Sequence, residues 1–187
     1  MTIRYQELTP EYFQEVLDLT NFFYGDNYLD FEGMVDVYRK GIQDGINANI
    51  LAFDQDRIVG FRLTHAPGLW EQDSWWTPQA WLQPVERVAC FKCAGVLEDM
   101  RGQGIAKALL QKSIEQVKKQ GAVAGVAQIW RQSPDNSAYM YFSRCGGEFI
   151  TDHIERWAED CINHGYVCSL CGNACKCTSA EMIIHFD

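Results

Sequence analysis

A turn almost empty of side chains divides the middle of the chain. Val96-Leu97-Glu98-Asp99-Met100-Arg101-Gly102-Gln103-Gly104-Ile105-Ala106 joins a run of β-formers, Val85 to Leu97, to an amphipathic helix, Gly104 to Gln120. In that helix Ile105, Leu109, Leu110, Ile114 and Val117 share one face, and Lys107, Lys112, Glu115, Lys118 and Lys119 the other. Glycines at such a junction let main-chain N–H groups approach a ligand closely, while the helix turns its unpaired N–H groups and positive dipole end to the same spot. The junction is therefore an anion site, suited above all to diphosphate. It is neither a Walker loop, which needs Lys and then Ser or Thr after the last Gly, nor the GxGxxG dinucleotide turn.

The flanking segments predict an α/β domain. Ile3 to Glu7 reads as a strand, and Thr9-Pro10 opens a helix carrying Phe13, Val16, Leu17 and Thr20 at helical spacing. Phe31, Met34, Val35, Tyr38 and Ile42 form a second helix, ending near Gly41 or Gly45. Ile50 to Phe53 and Ile58 to Leu63 make a hairpin around Asp54-Gln55-Asp56-Arg57. From His65 to Pro84 no period holds, yet this stretch carries Trp70, Trp75, Trp76 and Trp81, too apolar for a solvated loop. After the central helix come a buried strand, Gly125 to Trp130, a short helix, Asn136 to Arg144, stopped by Gly146 and Gly147, and two strands, Phe149 to Trp157 and Glu181 to Phe186. Strands joined through a crossover helix should pair in parallel, which makes the sheet mixed.

The turn resembles the signature of the GNAT superfamily of N-acetyltransferases: Arg or Gln, two residues, Gly, one residue, then Gly or Ala. Arg101, Gly104 and Ala106 fit it. Asn136-Ser-Ala-Tyr-Met-Tyr-Phe-Ser-Arg-Cys-Gly-Gly is similar to the family's other helix, and the element order matches the family from Ile3 to Phe186. The resemblance implies a mixed, mostly antiparallel sheet of about seven strands flanked by about four helices, in one acyl-CoA N-acyltransferase domain over residues 1–187. It also implies transfer of acetyl, or another acyl group, from coenzyme A to an amine by direct attack in a ternary complex. The N–H groups of Arg101, Gly102, Gln103, Gly104, Ile105 and Ala106 would hold the diphosphate, Val96 would offer strand-edge hydrogen bonds to the pantetheine arm, and Asn136 would meet the cofactor where the fourth and fifth strands splay.

The chain departs from the family at the general acid. The usual tyrosine position, four residues before Gly146, holds Phe142, with Tyr141 beside it. Either Tyr141 donates the proton from a shifted helix, or the thiolate leaves unassisted. Glu86, on the expected fourth strand, is the candidate base, with His65 and Glu155 in reserve. Cys93 reads as a small apolar strand residue rather than a nucleophile.

Residues 158–180 form a cysteine-rich insert between the last two strands. Cys168-x-x-Cys171 has the spacing of a metal knuckle and Cys175-x-Cys177 is a second close pair, so four thiolates would surround a structural zinc tetrahedrally, with Cys161 and His164 as alternative ligands. A closed shell shapes the chemistry rather than performing it.

A formal charge of -9, from 16 Lys and Arg against 25 Asp and Glu, leaves no basic stripe and excludes an extended nucleic-acid contact. No apolar run reaches membrane-span length, and the first fifteen residues, with Arg4, Glu7, Glu11 and Glu15, lack the apolar core of an export signal, so a cytoplasmic protein without membrane contact is expected. The acceptor is a small amine or a protein amino group. The tryptophan segment is read as an acceptor wall, internal packing or a homodimer contact. The rival reading, drawn from Phe142, is a catalytically weak acyl-CoA-binding module that uses the insert and the tryptophans to hold a partner.

Overall fold

In the computed structural model, which describes residues 2–186, seven strands form one sheet. They are β1 (Arg4–Glu7), β2 (Ile50–Asp54), β3 (Arg57–His65), β4 (Val88–Val96), β5 (Ala124–Trp130), β6 (Glu148–His153) and β7 (Ser179–His185), in the spatial order β1-β2-β3-β4-β5-β7-β6. Each neighbouring pair is antiparallel except β4 and β5, which the crossover helix α3 (Ile105–Lys119) joins in parallel. The remaining helices are α1 (Phe13–Tyr24), α2 (Phe31–Lys40), α4 (Ser137–Arg144) and α5 (Ala158–Asn163), the last inside the cysteine insert.

Three expectations change for physical reasons. The strand and crossover helix after β5 do not lead to a neighbour of β5, because β7 inserts between β5 and β6. β7 is buried along nearly its whole length and suits a central position, whereas β6, with Glu148 and Asp152 exposed, suits the edge. The strand expected over 149–157 ends at His153, since Glu155 adopts a left-handed φ of 56° and turns the chain. Likewise 85–87 is a 3-10 turn behind Pro84, so β4 starts at Val88.

One face of β1 to β4 is covered by α1 and α2, which pack Phe13, Val16, Leu17, Met34 and Val37 on Phe53, Phe61 and Leu63. The opposite face is covered by α3 and α4. The tryptophan segment fills the remaining area itself: Trp70 and Trp81, with Trp76 against them, lie on Val88, Cys90, Val126 and Ile183. It is held by Glu181, a wholly buried β7 carboxylate that accepts from Trp81 Nε1 (2.6 Å), Thr77 N (3.1 Å) and Thr77 Oγ1 (2.7 Å) and lies 2.8 Å from His153 Nε2. Burying a carboxylate is tolerable because its oxygens are so fully used.

Candidate active site

The parallel pair stays together only at Val88, Ala89 and Cys90, opposite Ala124, Gly125 and Val126. Beyond Cys90 the strands separate, β4 continuing against β3 and β5 against β7. A register shift between Leu63 and His65 on the β3 side marks where β4 bends away. The wedge opens into a cavity of about 1150 Å³ whose walls include Val96, most of the 101–107 junction, Tyr141 and several tryptophans.

At the mouth of this cavity Gly102 and Gly104 both take left-handed conformations, φ 77° and 78°, that L side chains adopt at a cost. A Cβ added to either would meet nothing within 4 Å. Gly104 is the helix N-cap and supplies no side-chain cap, so the first N–H groups of α3 face open space. Arg101 Nε donates to Val96 O and Arg101 N to Glu98 O, both at 3.2 Å, which ties the turn to the strand end and takes the Arg101 N–H out of the expected diphosphate set. Val96, Arg101, Gly102, Gly104, Ile105 and Ala106 line the cavity, whereas Gln103 does not, its Nε2 lying toward Met100 Sδ. Asn136 caps α4 with a left-handed φ of 52° and leaves its Oδ1 buried and unpartnered; its neighbours Ser133, Asp135 and Ser137, rather than Asn136 itself, form the wall.

α4 is set so that Phe142 is wholly buried against Phe91, while Tyr141 faces the cavity. The Tyr141 hydroxyl donates to Ala106 O (3.0 Å) in the first turn of α3 and accepts from Arg62 Nη2 (3.2 Å). Burial pushes this hydroxyl above the ordinary phenol range and the guanidinium opposes that, so near neutral pH it is protonated. Arg62 was not foreseen. It is 4% exposed, its Nε has no partner, and its guanidinium lies over the Phe91 ring, 5.4 Å from the centroid. The only sequence signal was an arginine within an otherwise apolar strand.

The three base candidates separate clearly. Glu86 is exposed in the turn before β4, at the opposite end of that strand from the cofactor turn, and Glu155 is exposed in the turn after β6; neither lines the cavity. His65 does line it, with Nε2 buried and unpartnered. Burial, then Lys92 and Lys40, push His65 down to about 3, so at neutral pH it is an uncharged imidazole. Cys93 belongs to the core under α1 and burial lifts its thiol to about 11, which keeps it un-ionised.

A second unforeseen residue is Tyr24, the last of α1. Its hydroxyl donates to Ala94 O (2.8 Å) and accepts from Ala94 N (3.1 Å), taking up the peptide that β4 exposes in the wedge. In the insert, Cys168, Cys171, Cys175 and Cys177 bring their sulfurs within 4.8 Å of one another. Cys161 and His164 are outside this set, Cys161 near Gly172 O and His164 beside Asp160.

The sheet is thus wedged open beside a helix N-terminus that no side chain caps. The acetyltransferase (GNAT) family profile matches residues 13–146, and the chain belongs to that family. No curated protein matches its sequence. Among solved structures, Ard1 from Thermoplasma volcanium aligns over 100% of this chain and 99% of its own at 11% identity, with a TM-score of 0.68. Arabidopsis thaliana Naa50, in complex with the bisubstrate analogue CoA-Ac-MVNAL, covers 100% of both chains at 15% identity and a TM-score of 0.66. The yncA protein of Salmonella typhimurium, solved with its cofactor acetyl-CoA, covers 100% of this chain and 95% of its own at 11% identity and a TM-score of 0.69. At these identities the likeness is one of fold.

Proposed function

We propose that this protein transfers an acetyl group from acetyl-CoA to a primary amine, both bound at once in the wedge between β4 and β5. The observation that carries the reading is the open turn: two left-handed glycines with free space above them and uncapped helix N–H groups, at the mouth of a cavity large enough for a cofactor arm and an acceptor. The diphosphate would lie on the N–H groups of Gly102 to Ala106 and the pantetheine along Val96, with its thioester near Tyr141.

The chemistry then follows from position. The amine, entering as the free base, places its lone pair on the thioester carbonyl carbon and forms the C–N bond. Its surplus proton leaves to cavity water. His65 lines the same cavity as an uncharged imidazole whose Nε2 is shielded, so it shapes the acceptor side without removing the amine's proton. The C–S bond breaks, sulfur takes the electron pair, and Tyr141 gives the thiolate a proton that water restores. Arg62, donating to the Tyr141 oxygen, fixes that hydroxyl and offsets the negative charge it briefly carries. Tyr141 in the cavity supplies the proton donor whose absence was the argument for a mere binding module.

The cavity also holds Tyr28, Trp70 and Trp76, with Lys92 over the Tyr28 ring and Asp73 paired to Arg156, which suits an uncharged amine bearing an apolar part, whether a small molecule or a protein amino group. A thiol-release assay with acetyl-CoA over a panel of small amines and peptide N-termini tests the reading. Amine-dependent release of coenzyme A supports it, and none with any acceptor, from protein that binds acetyl-CoA, refutes it.

A further inference from the structure

The cysteine insert does more than close a hairpin. Cys171 and Cys177 have their sulfurs 3.5 Å apart and Cys168 and Cys177 3.8 Å apart. Four thiolates at about 2.3 Å from one ion stand about 3.8 Å from each other in a tetrahedron, whereas a disulfide needs about 2.0 Å. Cys168, Cys175 and Cys177 are buried, and with Tyr166 they are nearly all the core this loop has.

The same loop grips the end of α1. Tyr166 Oη (2.6 Å) and Ser169 N (3.2 Å) both donate to Tyr24 O, Ser169 Oγ donates to Phe23 O (3.3 Å), and Asn27 Nδ2 donates to Gly165 O (2.9 Å). Val167 and Cys168 pair as a short antiparallel ribbon with Asp26 and Gly25. Gly25 is required there: its φ is 117°, and a Cβ would stand 2.0 Å from Val167 O. Helix carbonyls that would otherwise face water are thus satisfied by residues bracketing the first metal-ligand position. The residue whose carbonyl is held, Tyr24, is the one whose hydroxyl occupies the Ala94 peptide in the wedge. On the other side of the wedge the cysteine cluster packs on Trp130, at the end of β5, and on Trp157, both of which line the cavity.

We propose that Cys168, Cys171, Cys175 and Cys177 bind one zinc ion, and that this ion, without touching substrate, holds Tyr24 and the acceptor wall of the cavity in place. Tyr24 is then a positioning residue, and loss of the metal frees the end of α1 while leaving the α3 turn intact. The metal site stands independently; its effect on transfer rests on the acetyltransferase reading.

The test uses full-length protein purified without chelators. Elemental analysis should find one zinc per chain, and exchange for cobalt(II) should give the intense thiolate charge-transfer and tetrahedral d–d absorption of a four-sulfur site, both lost in Cys175→Ser. No zinc and no cobalt spectrum in the wild type overturn the site. Hydrogen exchange with and without metal reads the coupling: the amides of residues 23–28 and of Ala94 should exchange about tenfold faster or more in the metal-free protein, with residues 105–117 unchanged. Equal exchange near Tyr24 overturns the coupling. Should Cys175→Ser fail to fold, Tyr24→Phe takes its place: it should keep the zinc and the acetyl-CoA affinity and raise KM for the amine about tenfold with a smaller change in kcat, and an unchanged KM overturns the positioning role. A metal-bound, exchange-coupled protein with no acetyl transfer would sink the acetyltransferase reading and leave this site standing.

Discussion

Replacing His65 by Asn tests whether the cavity holds an uncharged imidazole. His65 is 8% exposed, and burial together with Lys92 and Lys40 lowers its pKa from 6.5 to about 3, Asp36 acting the other way. A base whose folded pKa is depressed contributes stability that is intact above the unfolded value. As pH falls below about 6.5 the unfolded chain takes up a proton that the folded chain refuses, so stability declines until the folded imidazole protonates near pH 3. Each unit costs about 1.4 kcal/mol, and the window of roughly three and a half units gives a loss on the order of 5 kcal/mol. A domain of ordinary stability, about 5–15 kcal/mol, would feel this as a main cause of acid unfolding. The assay is urea denaturation of wild type and His65→Asn at about pH 7, 6, 5 and 4.5. The variant should be weaker at neutral pH from lost packing, but its stability should fall less steeply, by about 1.4 kcal/mol per unit, below pH 6.5. Parallel profiles would show that His65 takes up its proton in the folded state and would refute the reasoning.

Tyr141→Phe should lower kcat by about a hundredfold with acetyl-CoA affinity nearly unchanged, read by steady-state thiol release and calorimetry; equal turnover would remove Tyr141 from the mechanism. Arg62→Met should slow the wild type but have little further effect in the Tyr141→Phe background, because the two share one hydrogen bond; additive losses in the double-mutant cycle would separate them. Glu181→Ala should cost about 3–5 kcal/mol in chemical denaturation, since it strands the buried donor of Trp81 and the half-buried donors of Thr77; a loss below about 1 kcal/mol would mean that the tryptophan segment is anchored elsewhere.

What the sequence showed and what it hid divide along physical lines. The α3 turn was legible because its chemistry is local: two glycines, a helix start and the strand before it lie within a dozen residues. The same holds for the four cysteines, whose spacing is itself a geometric statement. Tyr141 was harder, because one residue of helix phase decides which of two adjacent aromatics enters the core, and only packing on Phe91 settles that Phe142 does. Glu86 attracted attention by its place on an expected strand, and Pro84 and the 3-10 turn moved it outside. Arg62, Tyr24 and Glu181 act through partners 79, 70 and 100 or more positions away, contacts that no periodicity announces. The apolar pattern runs past the end of β6 because Ile154, apolar yet 73% exposed, continues it into a turn.

The central claim is that the bare N–H groups of the Gly102 to Ala106 turn hold the cofactor diphosphate, and titration calorimetry of acetyl-CoA into wild type and Gly104→Asp tests it most directly. Gly104 has a φ of 78° and open space above it, so Asp there should cost the fold only about 1 kcal/mol while aiming a carboxylate at the ligand. Repulsion of about 1–2 kcal/mol from each diphosphate charge should weaken binding by tenfold or more. Saturable binding by the wild type with that loss in the variant is the predicted result, and equal affinity of the two proteins for acetyl-CoA, or none in the wild type, would contradict the account.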